Sequence, residues 1–261
     1  MGVINLTPDS FSGDGLDGSV ARAVELARNM VVDGADLLDV GGESTRPNAQ
    51  RVSIEEEIRR VVPAIRAIVE EVGVPVSVDT RRAVVAEAAL SAGAHLVNDV
   101  DGLQRDAHMA PVIASFGATV IAMHSPGPSW EVPWPATFGD IISEISAFLN
   151  ASIQLAADAG IPRNRLVVDP GFGFGKNLEH NLTILRRLGE FRALGQPVML
   201  GASRKSTIGR ILSAEVEDRV EGSLAALSLA IAEGVDIVRV HDVRASVKAA
   251  RVADAIVRTT S

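Results

Sequence analysis

Eight short apolar runs, spaced by stretches of helical period, constrain this chain more than any other feature. The runs cover residues 2–5, 36–40, 75–79, 95–99, 119–124, 166–169, 197–201 and 237–241. Their apolar residues are consecutive rather than alternating, as in strands covered on both faces, and that pattern belongs to parallel sheets. Between them, residues 20–33, 53–71, 82–92, 109–115, 140–159, 178–188, 219–233 and 245–258 carry aliphatic side chains at helical spacing. The second helix opens on Ser53-Ile54-Glu55-Glu56, read as a capping box in which Ser and Glu satisfy two free backbone donors. Pro63 is expected to kink that helix or divide it. Eight strand-then-helix units predict an α/β protein closed into a single (β/α)8 TIM barrel; an open doubly wound sheet is the alternative. No Pro/Gly/Ser-rich linker or repeat interrupts the pattern, so residues 1–261 read as one domain.

Composition excludes several classes. The net charge of −8, from 33 acids against 25 bases, argues against a nucleic-acid partner, which would favour a basic surface. A local cation cluster for an anionic substrate remains compatible with it. With no cysteine there is no disulfide, thiolate metal site or cysteine nucleophile. No run approaches the roughly 18 apolar residues of a membrane span, and no signal-peptide pattern opens the chain. A soluble cytoplasmic protein without membrane contact is expected.

The candidate chemistry collects where strands end. Asn5, Asp39, Asp79, Asn98-Asp99, His124, Asp169, Ser203-Arg204-Lys205, Arg239 and His241 all stand at or just past these ends. In a parallel barrel the ends converge on one rim, where active sites form. Single carboxylates and amides could instead cap turns; capping does not require Lys, Arg and His as well. Asp79, Asn98, Asp169 and Lys205 mix acceptors and a donor in a way that suits a flat heterocycle with amide-like and guanidine-like edges. Arg46, Arg239 and His241 could form a second, cationic group for phosphate oxygens. For Arg239 and His241 the bland reading is an ion pair with a carboxylate such as Asp242; for His124 it is a hydrogen-bonded core histidine.

Two early loops have the make-up of lids: residues 7–15, with Asp9 and Phe11, and residues 41–47, with Thr45, Arg46 and Pro47. The run Asp169-Pro170-Gly171-Phe172-Gly173-Phe174-Gly175-Lys176 has neither Walker nor Rossmann spacing. Its glycines suit close backbone approach to a ligand, with Phe174 as an apolar wall. Trp130 and Trp134 suit surface packing.

On these residues the chain resembles the dihydropteroate synthases. The matching segments, in order, are Asn5-Leu6-Thr7-Pro8-Asp9-Ser10-Phe11, Gly42-Glu43-Ser44-Thr45-Arg46-Pro47, Ser77-Val78-Asp79-Thr80, Asn98-Asp99, Met123-His124, the run from Asp169 to Lys176, Ser203-Arg204-Lys205-Ser206 and Arg239-Val240-His241. The resemblance implies a transferase of folate biosynthesis that joins a dihydropterin diphosphate to 4-aminobenzoate and releases pyrophosphate. It implies that Asp79, Asn98, Asp169 and Lys205 hold the pterin, and that Asn5 helps bind Mg²⁺ with the diphosphate. Arg239, His241 and Arg46 would grip that diphosphate, while Phe11, Thr45, Pro47, Phe174 and Ser203 build the 4-aminobenzoate pocket. Asp9, Lys205 and Arg46 would serve catalysis, on a loose path through a pterin cation that Asp9 stabilises. A homodimer and sensitivity to sulfonamides are implied too. The family usually carries a hairpin ahead of the first strand that closes the bottom of the barrel; here the motif begins at Met1, so that plug is expected to be missing. Asn48 stands where many members have Gly, and Ser125-Pro126-Gly127 departs from the usual residues after His124. Two rival readings remain: a pterin-binding methyltransferase domain and a catalytically silent paralogue. Pyrophosphate release with both substrates would separate them.

Overall fold

The structure, a computed structural model, describes residues 1–7, 19–43, 52–127 and 135–258. Six parallel strands follow one another in chain order: β1 (Gly2–Asn5), β2 (Leu38–Gly41), β3 (Val76–Asp79), β4 (Leu96–Asp99), β5 (Thr119–Met123) and β6 (Leu166–Asp169). Strands β7 (Met199–Leu200) and β8 (Ile237–Val238) pair in parallel with each other. Two bridges close the ring, Val168 to Val198 and Gly2 to Val240. The chain is therefore a closed (β/α)8 barrel and not an open sheet.

Helices follow the strands: α1 (Val20–Val32), α2 (Ile54–Glu71), α3 (Ala83–Ser91), α4 (Met109–Phe116), α5 (Ile141–Asp158) and α6 (Leu178–Arg186) after β1 to β6. Both α7 (Ser206–Leu212) and α8 (Val220–Ala232) follow β7, and α9 (Val243–Val257) follows β8. Three local expectations change. Strands β7 and β8 are shorter than 197–201 and 237–241, but single bonds extend the wall beyond them: Val168 N donates to Pro197 O at 2.9 Å, and Arg239 N to Leu200 O at 2.9 Å. Pro63 does not divide α2; it lies on the exposed face, where water can satisfy the carbonyl it leaves without a donor. Half of the expected capping box forms. Ser53 Oγ accepts from Glu56 N at 3.2 Å, but the Glu56 carboxylate turns to Arg59 and Arg60, at 2.7 Å each. A charge-assisted bond to guanidinium outcompetes a neutral N–H.

Side chains inside the barrel alternate with those outside. The lower interior layer is apolar: Met1, Leu96, Ile121, Val167 and Met199 form a buried cluster of their own, with Leu37 and Ile237 against it. Two residues further along the same strands the interior turns polar, at Asp39, Asn98, Asp169 and Arg239. Outward-facing residues bury against helices in two larger clusters. Ile4, Leu38, Val40, Val76, Val78, Val97 and Val120 pack with α1 to α4. Val168, Val198 and Leu200 pack with residues of α5, α6 and α8. Each fully buried aliphatic side chain there contributes about 1.5–3 kcal/mol. The fold thus lifts a polar layer onto an apolar floor, at the C-terminal mouth.

Candidate active site

Asp39 is the hub of the polar layer and is fully buried. Its Oδ2 accepts from Asn98 Nδ2 at 3.0 Å and from Arg239 Nε at 2.7 Å. The other arm of Arg239 reaches Asp79 Oδ2 at 2.9 Å. One guanidinium therefore bridges carboxylates from β2 and β3. Burial pushes the Asp79 carboxyl up to about 7, with Arg239 as the main opposing influence. Among the described residues, Asp39 Oδ1, Ser77 Oγ and Asn98 Oδ1 are buried with no hydrogen-bond partner. Such atoms cost free energy in a folded chain, and they are acceptors suited to the N–H edge of a ligand.

Across the mouth, Asp169 Oδ1 accepts from Gly171 N at 2.7 Å. Burial raises its pKa, opposed first by Lys205. The Lys205 amine donates to Phe172 O, lies 4.6 Å from the Phe174 ring centroid, and is lowered by burial to about 8. Its charge is felt by both Asp169 and Asp79, which joins the two sides of the layer. Asn5 ends β1 and pairs in register with Gly41, itself opposite Asp79. His241 N donates to Ser203 Oγ at 3.2 Å, and its Nδ1 lies 3.1 Å from the same oxygen.

The structure thus brings Asn5, Asp79, Asn98, Asp169, Phe174, Ser203, Lys205, Arg239 and His241 to one mouth. Asp9, Phe11, Thr45, Arg46, Pro47, Trp130 and Trp134 lie outside the described residues. Two expectations need correction. Arg239 is not part of a separate cationic group: it sits among the carboxylates, because Asp39 and Asp79 share its parity on neighbouring strands. The bland reading of an ion pair with a carboxylate holds for Arg239, but with Asp39 and Asp79; Asp242 pairs instead with Arg204, whose Nε donates to Asp242 Oδ2 at 2.8 Å. His124 follows the bland reading. It is buried, packs edge-on against Phe148, and is pushed down to about 2 by burial and Lys176.

Sequence reasoning left three contributors without a role. Asp39 was visible through its strand parity, two residues after the apolar Leu37. Arg204 has φ 56° and so turns the backbone between Ser203 and Lys205. Lys176 is buried at the end of the glycine-rich run. Asp99 leaves the layer: its carboxylate accepts from Asp101 N at 2.9 Å and Leu103 N at 2.7 Å, capping a turn outside the barrel. At the stem of the second loop, Glu43 Oε1 accepts from Val52 N at 3.1 Å and from Arg82 at 2.8 Å, while Arg82 also reaches buried Glu57 at 2.6 Å.

Chemically, the site offers acceptors and one amine for a flat polar ring, beside a guanidinium and an imidazole for an anion. Comparison with known proteins agrees in kind. A family described as pterin binding enzymes matches residues 1–241. The dihydropteroate synthase of Synechocystis sp. is 44% identical over 99% of this chain and 90% of its own length. A solved dihydropteroate synthase from Clostridium difficile, in the presence of pteroic acid, is 46% identical with a TM-score of 0.92, covering 99% of this chain and 96% of its own. Another, from Xanthomonas albilineans with 4-aminobenzoic acid, is 42% identical with a TM-score of 0.92, covering 100% and 93%.

Proposed function

We propose how the site works from the premise that this chain belongs to the pterin-binding enzyme family, and within it to the dihydropteroate synthases. Its reaction joins (7,8-dihydropterin-6-yl)methyl diphosphate to 4-aminobenzoate, giving 7,8-dihydropteroate and pyrophosphate. The observation that carries the assignment of residues is the layer of Asp79, Asn98 and Asp169, with the Lys205 amine acting on Asp169 and Asp79. Carboxylates accept from the amino and ring N–H groups of the pterin; Lys205 donates to its ring oxygen or nitrogen. His241 and the part of the Arg239 guanidinium that Asp39 and Asp79 do not engage take the diphosphate, and Arg46 joins them from the second loop. Phe174 and Ser203, with Phe11, Thr45 and Pro47, receive the 4-aminobenzoate ring.

In this reading the bond between the pterin methylene carbon and the diphosphate oxygen breaks, and its electron pair leaves with the diphosphate. The amine nitrogen of 4-aminobenzoate forms the new C–N bond and then sheds a proton to water. The amine is neutral near pH 7, so no strong base is required. The chain's part is to hold both reactants in line and to surround the growing negative charge with fixed cations. Asp9 would stabilise positive charge on the pterin methylene.

Mg²⁺ fits on these residues only together with substrate. Among the described residues no group of three His, Asp or Glu side chains could cage a metal ion. Asn5 offers one neutral oxygen, and Mg²⁺ is commonly bound by few protein oxygens plus phosphate and water. When bound, it would neutralise charge on the leaving diphosphate.

The sequence resemblance extends the proposal to a homodimer, action in the cytoplasm and sensitivity to sulfonamides. Exposed Ile211, Leu229, Val252 and Ile256 on α7, α8 and α9 support self-association. The test of function is pyrophosphate release with each substrate omitted in turn. Release only with both substrates present is expected; release with either one alone would overturn the reading.

A further inference from the structure

We propose that Lys176 is a positioning residue that sets the Asp169 carboxylate and the Phe174 ring from behind the glycine-rich turn. This rests on the reading that Asp169 and Phe174 receive the two substrates. Lys176 is buried, and nothing in the reaction as written uses it. Its ammonium has three N–H donors, and three acceptors meet them: Gly171 O at 2.8 Å, Phe174 O at 3.0 Å and His124 Nδ1 at 3.0 Å. In the ammonium form Lys176 only donates, so that His124 Nδ1 accepts and the ring proton lies on Nε2.

These bonds hold the turn at both ends. Gly171 N donates to Asp169 Oδ1 at 2.7 Å, while the Gly171 carbonyl accepts from Lys176 and from Phe174 N at 3.1 Å. Fixing Gly171 therefore fixes the rotamer of Asp169. At the other end, the bond to Phe174 O fixes the residue whose ring faces Lys205. The two lysines grip one turn from opposite sides: Lys205 through Phe172 O, Lys176 through Gly171 O and Phe174 O.

The positive charge has a second use. All three acceptors are neutral, so hydrogen bonding alone does not call for a buried cation, which is costly to desolvate. Burial lowers the Lys176 pKa well below its ordinary value, with Asp169 opposing that shift and Lys205 adding to it. Asp169 in turn is favoured as a carboxylate by Lys205, the Gly171 N–H, Lys176 and Arg239, against its burial. In its ammonium form, favoured toward the acid side, Lys176 thus helps keep Asp169 ionised against its burial.

The test is calorimetric titration of 6-hydroxymethyl-7,8-dihydropterin into the full chain between pH 4 and 8. It compares wild type with Lys176→Gln, which keeps N–H donors without charge, and with Lys176→Met, which keeps neither. For Lys176→Gln, a rise of about one pH unit in the acid limb of affinity is expected, with about tenfold weaker binding on that limb. Lys176→Met is expected to lose more affinity at every pH and to raise the KM for 4-aminobenzoate. Lys176→Gln decides alone if the Met variant does not fold. Wild-type affinity and acid limb in Lys176→Gln overturn the inference, as does weaker binding with an unmoved acid limb. No pterin binding by wild type would bring down the site reading itself, and the inference with it.

Discussion

Replacing Arg239 by Met asks whether charge holds the polar layer together before any substrate arrives. The guanidinium bonds Asp39 at 2.7 Å and Asp79 at 2.9 Å, and Asp39 has no exposure to water. Met retains much of the stem and removes the cation, leaving two buried carboxylates with none between them. Removing one partner of a buried pair costs about 3–5 kcal/mol. In a chain of this size each kcal/mol lowers Tm by roughly 2–4 °C, so the unliganded variant should melt about 6–20 °C below wild type at pH 8. The loss should depend on pH. Asp79 is already raised to about 7 in the folded protein, against about 3.9 in an unfolded chain. A carboxyl raised by folding costs stability as pH climbs from the lower value through the higher one. Without Arg239 the folded value rises further, so the deficit should be greatest near pH 8 and should shrink near pH 5, where folded Asp79 takes up a proton. Thermal melts of both proteins at pH 5 and pH 8, without ligand, measure this. A Tm unchanged at pH 8, or a deficit larger at pH 5, would refute the claim that Arg239 is committed to the carboxylates.

Two other substitutions probe the same mouth. Lys205→Ala should weaken dihydropterin binding by about 1.5–3 kcal/mol, the loss of a charge-assisted hydrogen bond; equal affinity by calorimetry would remove Lys205 from the pterin site. Gly171→Ala should destabilise by roughly 2–5 kcal/mol, combining left-handed strain with overpacking. Gly171 has φ +69°, and an added Cβ would lie 1.9 Å from the His124 carbonyl oxygen. An unaltered melting curve for that variant would show that the turn can shift.

Much of the barrel was legible because each strand needs only a short apolar run, and each run ends on a residue that a covered strand does not otherwise favour. Strands β7 and β8 were read too long because their flanks, including Arg239 and His241, continue the wall by single bonds rather than by a ladder. Helix α7 escaped notice because a seven-residue segment spans too few turns for its period to register. At the site, residue types and strand ends were enough to collect the right side chains. They were not enough to pair them. Which cation meets which carboxylate depends on interior parity and on the ring closing between β8 and β1, so Arg239 was assigned to an anion and found among acids. Lys176 was hidden for a related reason: a lysine beside glycines reads as a surface residue until the turn folds over it.

Of the two outer clusters, one runs from β1 to β6 and returns through α8, Val240 and α9, and the other fills the wall between α5 and α8. The polar layer is unevenly inherited along the chain. Among the described residues of that layer, β1 to β4 bring Asn5, Asp39, Ser77, Asp79 and Asn98, while β6 to β8 and the loops after them bring Asp169, Lys205 and Arg239. The acids of the early strands and the cations of the late ones meet only across the closed ring, as Arg239 meets Asp39 and Asp79. The same joint that completes the wall therefore assembles the catalytic mouth.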